Sequence, residues 1–172
     1  MSSELPHRVL PVLLVLSALG FSGIAVQEGY SNKATIPVDG DKPTYGLGST
    51  TKPDGQQVKL GDSITVPAAI QLAVRQAEKK EAAIRRCVTA PLAQYEYDVY
   101  VSLAYNVGES AFCKSTLVKK ANAMDYAGAC AEILRWRYFQ GKDCSQPENQ
   151  RLCGGIWGRR QQEAARCQGG FQ

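Results

Sequence analysis

Residues 9–26, VLPVLLVLSALGFSGIAV, run for 18 residues without a charge. That length lies at the lower edge for a membrane-spanning helix and is slightly long for the core of a signal peptide. Arg8 and the amino terminus precede the run and Glu28 follows it, which predicts a cytoplasmic N terminus for an inserted segment. Ser17, Gly20, Ser22 and Gly23 dilute its hydrophobicity, and Pro11 stands near its start. Gly23 and Ala25 satisfy a cleavage rule with the cut before Val26. Three readings are open at this point: a cleaved signal, a permanent anchor, or a weak anchor that can leave the bilayer.

The remainder is globular in composition. Hydrophobic residues make up 44% of the 172-residue chain and charged residues 21%, which excludes a disordered or collagen-like chain. At this length about two-thirds of the unfolded surface can be buried, so a core forms without metal staples. The net charge of +4 is too mild, and the basic residues too scattered, to argue for nucleic acid. Six cysteines, Cys87, Cys113, Cys130, Cys144, Cys153 and Cys167, all lie in the second half. With one histidine, His7, and no CxxC pair, a zinc site is not expected, and no cofactor is. An even count beside an export segment points to an oxidising compartment and three disulfides. The spacing favours Cys144–Cys153 closing a local loop and Cys113–Cys130 joining neighbouring helices, which leaves Cys87–Cys167.

The rest of the chain alternates short strand signals with helical periods. Thr35, Ile36 and Val38 predict a strand, Asp39-Gly40-Asp41 a turn, and Thr44–Gly48 a second strand. A further short strand is expected at 57–60. Pro67 opens a helical pattern over 66–88, with Ala69, Ala73, Ala77, Ile84 and Val88 on one face. Pro91 begins another, which Gly108 stops. Ser115–Ala123 forms a short helix, Asp125 caps one over 126–139, residues 140–156 form a loop, and 157–167 form a last helix. The fold class is α+β, with a small β-hairpin lobe followed by a larger helical one.

Glu28, the acidic turn with Asp39 and Asp41, and Thr44 form the first chemically informative group. A carboxyl at the end of an apolar helix is held partly out of water, which favours its protonated form, whereas one on a wet turn stays ionised. Such a pair can protonate a glycosidic oxygen and activate a water, and a threonine hydroxyl can hold that water in line. Spacing alone does not separate this from three ordinary polar residues.

The stretch EG…A..P…GD.PT.G.G.T, followed by SLAYNVGESAFCKSTLVKKANAMDYAGACAEILRW and GRRQQEAARC, resembles the bacteriophage lysozymes of glycoside hydrolase family 24, and within them the endolysins with an N-terminal signal-arrest-release segment. The resemblance covers about residues 27–167. It implies a two-lobed lysozyme fold and hydrolysis of the β-1,4 bond between N-acetylmuramic acid and N-acetylglucosamine in peptidoglycan. It also implies a catalytic glutamate at the end of the first helix, an aspartate in the hairpin and a threonine on the next strand. Glu28 and Thr44 match. The family's commonest aspartate positions fall here on Pro37 and Val38, so the turn is remodelled; a family variant with P-V-x-G-D-x-P-T favours Asp41 over Asp39. The resemblance further implies inversion, with carboxyl groups roughly 6.5–9.5 Å apart. Asn106 matches a cleft-facing amide position, with a helix-capping role as the alternative. Ser115 and Thr116 read as caps, Trp136 as packing, and Arg159 and Arg160 as either wall contacts or a solvated face. Tyr95, Tyr97 and Tyr100 read as packing residues.

In the family the helix leading into the glutamate belongs to the fold. Cleavage before Val26 would remove it, and a permanent anchor would hold Glu28 at the bilayer surface, away from Asp41 and Thr44. The expectation is therefore a segment over 1–26 that tethers the chain to the host inner membrane through 9–26, then leaves it and refolds as the first helix of a lysozyme domain over 27–172. The tethered form is inactive, and the released form is a periplasmic monomer acting on glycan strands for host lysis. A lytic transglycosylase and a non-catalytic wall-binding module are the alternatives.

Overall fold

A computed structural model of the chain describes residues 6–37 and 40–169. Val38 and Asp39, on which part of the expected strand and one candidate acid fall, lie outside the described residues. The fold is α+β, with two small antiparallel sheets among helices. Two compact units make it up: Phe21–Lys79, and Met1–Gly20 together with Lys80–Gln172. The boundaries fall inside helices α1 (Ala18–Glu28) and α2 (Val66–Cys87).

The first unit, 21–79, is built on a hairpin. Strands β1 (Ser31–Thr35) and β2 (Thr44–Gly46) pair antiparallel, with Ser31 opposite Gly46 and Thr35 opposite Thr44. Four residues advance along β1 while two advance along β2, so the ladder carries an irregularity, as bulges at functional edges do. β1 lies earlier than expected and ends at Thr35, the first residue of the expected strand, and Ile36 is exposed. The strand expected at 57–60 is one bridge, Thr51 to Gln57. Ala34, Tyr45, Val58 and Leu72 form a small core with Ile64 against it. Leu72 comes from α2, whose apolar face also buries Ala69, Ala73 and Ala77 in the period the sequence predicts.

The second unit is helical. Helices α3 (Gln94–Val107), α4 (Glu109–Cys113), α5 (Thr116–Asn122), α6 (Tyr126–Glu132) and α7 (Gln150–Cys167) enclose a core with Leu92, Tyr97, Tyr100, Leu103, Phe112, Leu117 and Ile133. Caps sit where the sequence puts them. Ser115 Oγ accepts from the Val118 amide, and Asp125 Oδ1 accepts from that of Gly128. The helix expected over 126–139 ends much sooner, as α6 and then a single 3-10 turn, Ile133–Arg135. The expected loop is also structured. Strands β3 (Tyr138–Phe139) and β4 (Lys142–Asp143) make a hairpin, and α7 begins at Gln150 with a kink at Cys153.

The long α7 also explains a correction to the disulfides. Cys144–Cys153 forms as expected, but the other two are Cys87–Cys113 and Cys130–Cys167, not Cys113–Cys130 and Cys87–Cys167. An 18-residue helix spans about 27 Å, which carries Cys167 back to α6 and Cys130. Cys113, at the end of α4, instead meets Cys87 at the end of α2.

Arg160 is a second correction. It is fully buried, so it is neither a wall contact nor part of a solvated face. Arg160 Nη2 lies 2.8 Å from Glu163 Oε2, and Ser102 Oγ donates to Glu163 Oε1 at 2.9 Å. Burial pushes the Glu163 carboxyl up, against the downward pull of Arg160 and Arg159. Replacing Arg160 by Met strands a buried carboxylate and is expected to cost about 3–5 kcal/mol in urea unfolding; further replacement of Glu163 by Leu recovers part of it.

The β3–β4 hairpin carries a pH signature. The Asp143 carboxyl is held down to about 2 by the Ser145 hydroxyl, the Ser145 amide and the Arg137 guanidinium 3.0 Å away. A carboxyl depressed on folding stabilises the fold fully above its unfolded pKa, and that contribution disappears as pH falls through the folded one. An NMR titration of the Asp143 side chain should therefore show its midpoint near 2, with the hairpin loosening between the ordinary carboxylate range and that pH.

Candidate active site

Within the first unit, Glu28 is the last residue of α1. Gly29 follows with φ +66°, a left-handed conformation that ends the helix at little cost, and its amide donates to Ala25 O at 3.1 Å. The glutamate side chain is thereby placed at a helix end and half-buried.

Thr44 opens β2, and the loop behind it closes tightly. The Tyr45 amide donates to Ser49 O at 3.1 Å, and the Ser49 amide returns to Tyr45 O at 3.0 Å. Gly46 (φ +62°) and Gly48 (φ +74°) supply the two left-handed residues that this loop requires. Gly48 has a second duty. A methyl group on it would stand 2.8 Å from Glu28 Oε2, so the carboxylate rests against the glycine where a side chain would have been. The T-x-G-x-G pattern thus brings Glu28 and the β2 segment together. Asp41 stands on the exposed turn three residues before Thr44, just after Gly40 with φ +88°. The described part of the unit therefore holds the half-buried acid, the wet acid and the hydroxyl expected from the sequence.

Asn106 belongs to the other unit. It lies in the last turn of α3, and its Oδ1 accepts from Arg160 Nη1 at 3.1 Å. Its amide is oriented by a buried arginine rather than by capping its own helix. Sequence reasoning missed this arginine's role; the signal was the i, i+3 spacing of Arg160 and Glu163, a pair able to bury together. Trp136 is half-buried and, with Ser115, Thr116, Leu117, Glu132 and Arg135, lines a cavity of about 260 Å³. Among the described residues no cluster of three or more His, Cys, Asp or Glu is arranged to hold a metal ion.

A helix-end glutamate packed on a glycine loop, with an acidic turn and a threonine on one hairpin, is the arrangement the sequence reading expects of a lysozyme-type site. A family model described as phage lysozyme matches residues 25–163. The endolysin of Salmonella phage P22 is 35% identical over 131 residues, 76% of this chain and 88% of its own. The SAR-endolysin of Escherichia phage 933W is 27% identical over 171 residues, 96% of each chain. The solved structure of an endolysin from Escherichia coli O157:H7 phage FAHEc1 superposes with a TM-score of 0.76 at 30% identity, covering 90% of this chain and 94% of that one. The chain belongs to the phage lysozyme family.

The contact between Glu28 and Gly48 yields a test. Substituting Gly48 by Ala forces a side chain into φ +74° and into the glutamate carboxylate. It should cost about 1–2 kcal/mol of stability in thermal unfolding. Lysis of purified peptidoglycan should fall further than the loss of folded protein explains.

Proposed function

We propose that the chain is a muramidase endolysin that hydrolyses the β-1,4 bond between N-acetylmuramic acid and N-acetylglucosamine in peptidoglycan. Glu28 is the general acid, Asp41 the base or electrostatic partner of the attacking water, and Thr44 holds that water. The carboxylate of Glu28 seated on Gly48 carries this reading, because it sets a helix-borne acid beside the strand that Thr44 opens. Inversion is the expected stereochemistry, since a water between two carboxyl groups attacks from the face opposite the leaving group. Asn106, held by Arg160, contacts the substrate.

The reading extends to the N terminus. Residues 9–26 first tether the chain to the host inner membrane, with the catalytic part in the periplasm, and then leave the bilayer and refold. The full-length likeness to a SAR-endolysin and the uncharged run of 18 residues support it. Among the described residues no helix is long and apolar enough to cross a membrane. The segment instead forms a 3-10 turn, Pro11–Leu13, and then α1. The released enzyme acts as a monomer.

The test is turbidity loss of purified peptidoglycan by wild type, Glu28→Gln, Asp41→Asn and Asp39→Asn, each checked for folding. The first two variants should lose about a hundredfold or more of the activity, and Asp39→Asn should keep it. Products with ordinary reducing ends are expected; anhydro ends would make the enzyme a transglycosylase. A dead Asp39→Asn beside an active Asp41→Asn would move the base to Asp39, and an active Glu28→Gln would end the catalytic assignment.

A further inference from the structure

The segment 6–20 is broken where a membrane helix would be continuous. In a bilayer each of its N–H and C=O groups would be satisfied along its own helix. Here the helical pattern stops after Leu13 and restarts at Ala18, and the groups exposed by the break are received by charged and polar side chains of α2 and α3. The Leu16 amide donates to Glu81 Oε1 at 2.8 Å, and the Ser17 amide to Asp98 Oδ1 at 3.0 Å. Arg85 Nη2 donates to Leu14 O at 2.7 Å, and Gln94 Nε2 to Val15 O at 2.8 Å. Upstream, Val9 and Leu92 exchange two backbone hydrogen bonds, and Arg8 pairs with buried Glu96 through Nη2 at 2.7 Å and Nε at 3.0 Å. Arg8 also stacks over the Tyr126 ring at 3.8 Å.

Asp98 is the centre of this set. Its Oδ2 accepts the Ser17 hydroxyl proton at 2.5 Å, which leaves Ser17 Oγ to accept from the Gly20 amide at 2.9 Å. Ser17 thereby caps α1, and Asp98 holds the cap. Gly20 is the matching part on the segment. A methyl group there would lie 2.7 Å from Asp98 Cγ and 2.8 Å from Leu16 Cδ1, so the first turn of α1 seats on Asp98 without room for a side chain. Carboxylates accepting backbone N–H groups make strong hydrogen bonds at a helix start, where the helix dipole also favours them.

We propose that Asp98 is a positioning residue for the reaction. It receives the released segment at Ser17 and Gly20 and sets where α1 begins, and α1 carries Glu28 at its other end. Glu81 and Glu96 secure the segment on either side. The proposal rests on the reading that 9–26 is first held in the membrane. In that state Asp98 has no segment to cap; after release, docking on it fixes the helix that presents the acid. Leu10, Val12, Leu13, Val15 and Leu19 remain between 50% and 72% exposed and only Pro11 and Leu14 of residues 10–15 are buried, so polar docking carries much of the choice of register.

The test uses the full chain with Asp98→Ala, Gly20→Ala and the double variant. Three readouts are taken: membrane against soluble fraction in cells, hydrogen exchange of the Leu16 and Ser17 amides in the soluble form, and kcat and KM on purified peptidoglycan. Asp98→Ala should speed exchange at both amides about tenfold or more. It should lower kcat about tenfold while KM stays within about twofold, as misplacement of a catalytic group does. Asp98→Asn, which keeps one acceptor oxygen, should recover part of both. Gly20→Ala should show the same losses alone and cost less in Asp98→Ala than in wild type, because the closest contact, to Asp98 Cγ, goes with the carboxylate. Gly20→Ala leaves the Asp98 side intact, so it carries the test even where Asp98→Ala fails to fold. Wild-type kcat and unchanged amide protection in folded Asp98→Ala, or strict additivity in the double variant, would overturn the proposal. A wild type never found in the membrane fraction would end the tether reading, whereas the exchange and kinetic readouts judge Asp98 independently of it.

Discussion

A peptide segment can shed its charges but not its amides. Residues 9–26 carry no ionised side chain, yet in water every backbone N–H and C=O of the break at 14–17 still needs a partner. The helical unit supplies four of those partners, from Glu81, Arg85, Gln94 and Asp98, side chains that hydrocarbon would exclude. The start of α1 depends on that supply, and the location of Glu28 depends on where α1 starts and where Gly29 ends it. Thus the polar surface of α2 and α3 determines the conformation of the least polar stretch of the chain.

The local features are legible in the amino-acid sequence. The helical period of α2, the caps at Ser115 and Asp125, the hairpin around Thr44 and the stop at Gly108 follow from turn chemistry and side-chain spacing. The candidate acid and hydroxyl are legible because T-x-G-x-G demands two left-handed glycines in a tight loop. What stays hidden depends on contacts between distant residues. The i, i+3 spacing of Arg160 and Glu163 permits a pair but does not show that it is buried, because a doublet of arginines ordinarily faces solvent. The two long-range disulfides depend on how far α7 extends, and its start is masked by Gly154, Gly155 and Pro147 in a stretch of loop-like composition. The acceptors for the N-terminal segment lie 65 to 88 residues away from their donors, beyond any local pattern.

The helical unit is secured by two kinds of link. Three disulfides close loops whose ends are 26, 37 and 9 residues apart, each removing freedom from the unfolded chain. Buried ion pairs do different work. Arg160 with Glu163 contributes little net energy, because both ions lose water, but one partner without the other is costly. The pair consequently penalises alternative arrangements of α3 and α7 and holds Asn106 Oδ1 in a defined direction.

All six cysteines lie between Cys87 and Cys167, so no disulfide reaches the unit 21–79 that holds Glu28, Asp41 and Thr44. The ladder at Thr35 and Thr44 closes the turn that joins β1 to β2, and no disulfide crosses it. Adding a residue or two to such an open surface turn changes loop-closure entropy by only a few tenths of a kcal/mol. The candidate residues thus lie outside the cross-linked part of the chain. Small insertions can shift an acid along the turn while that cross-linked part stays fixed.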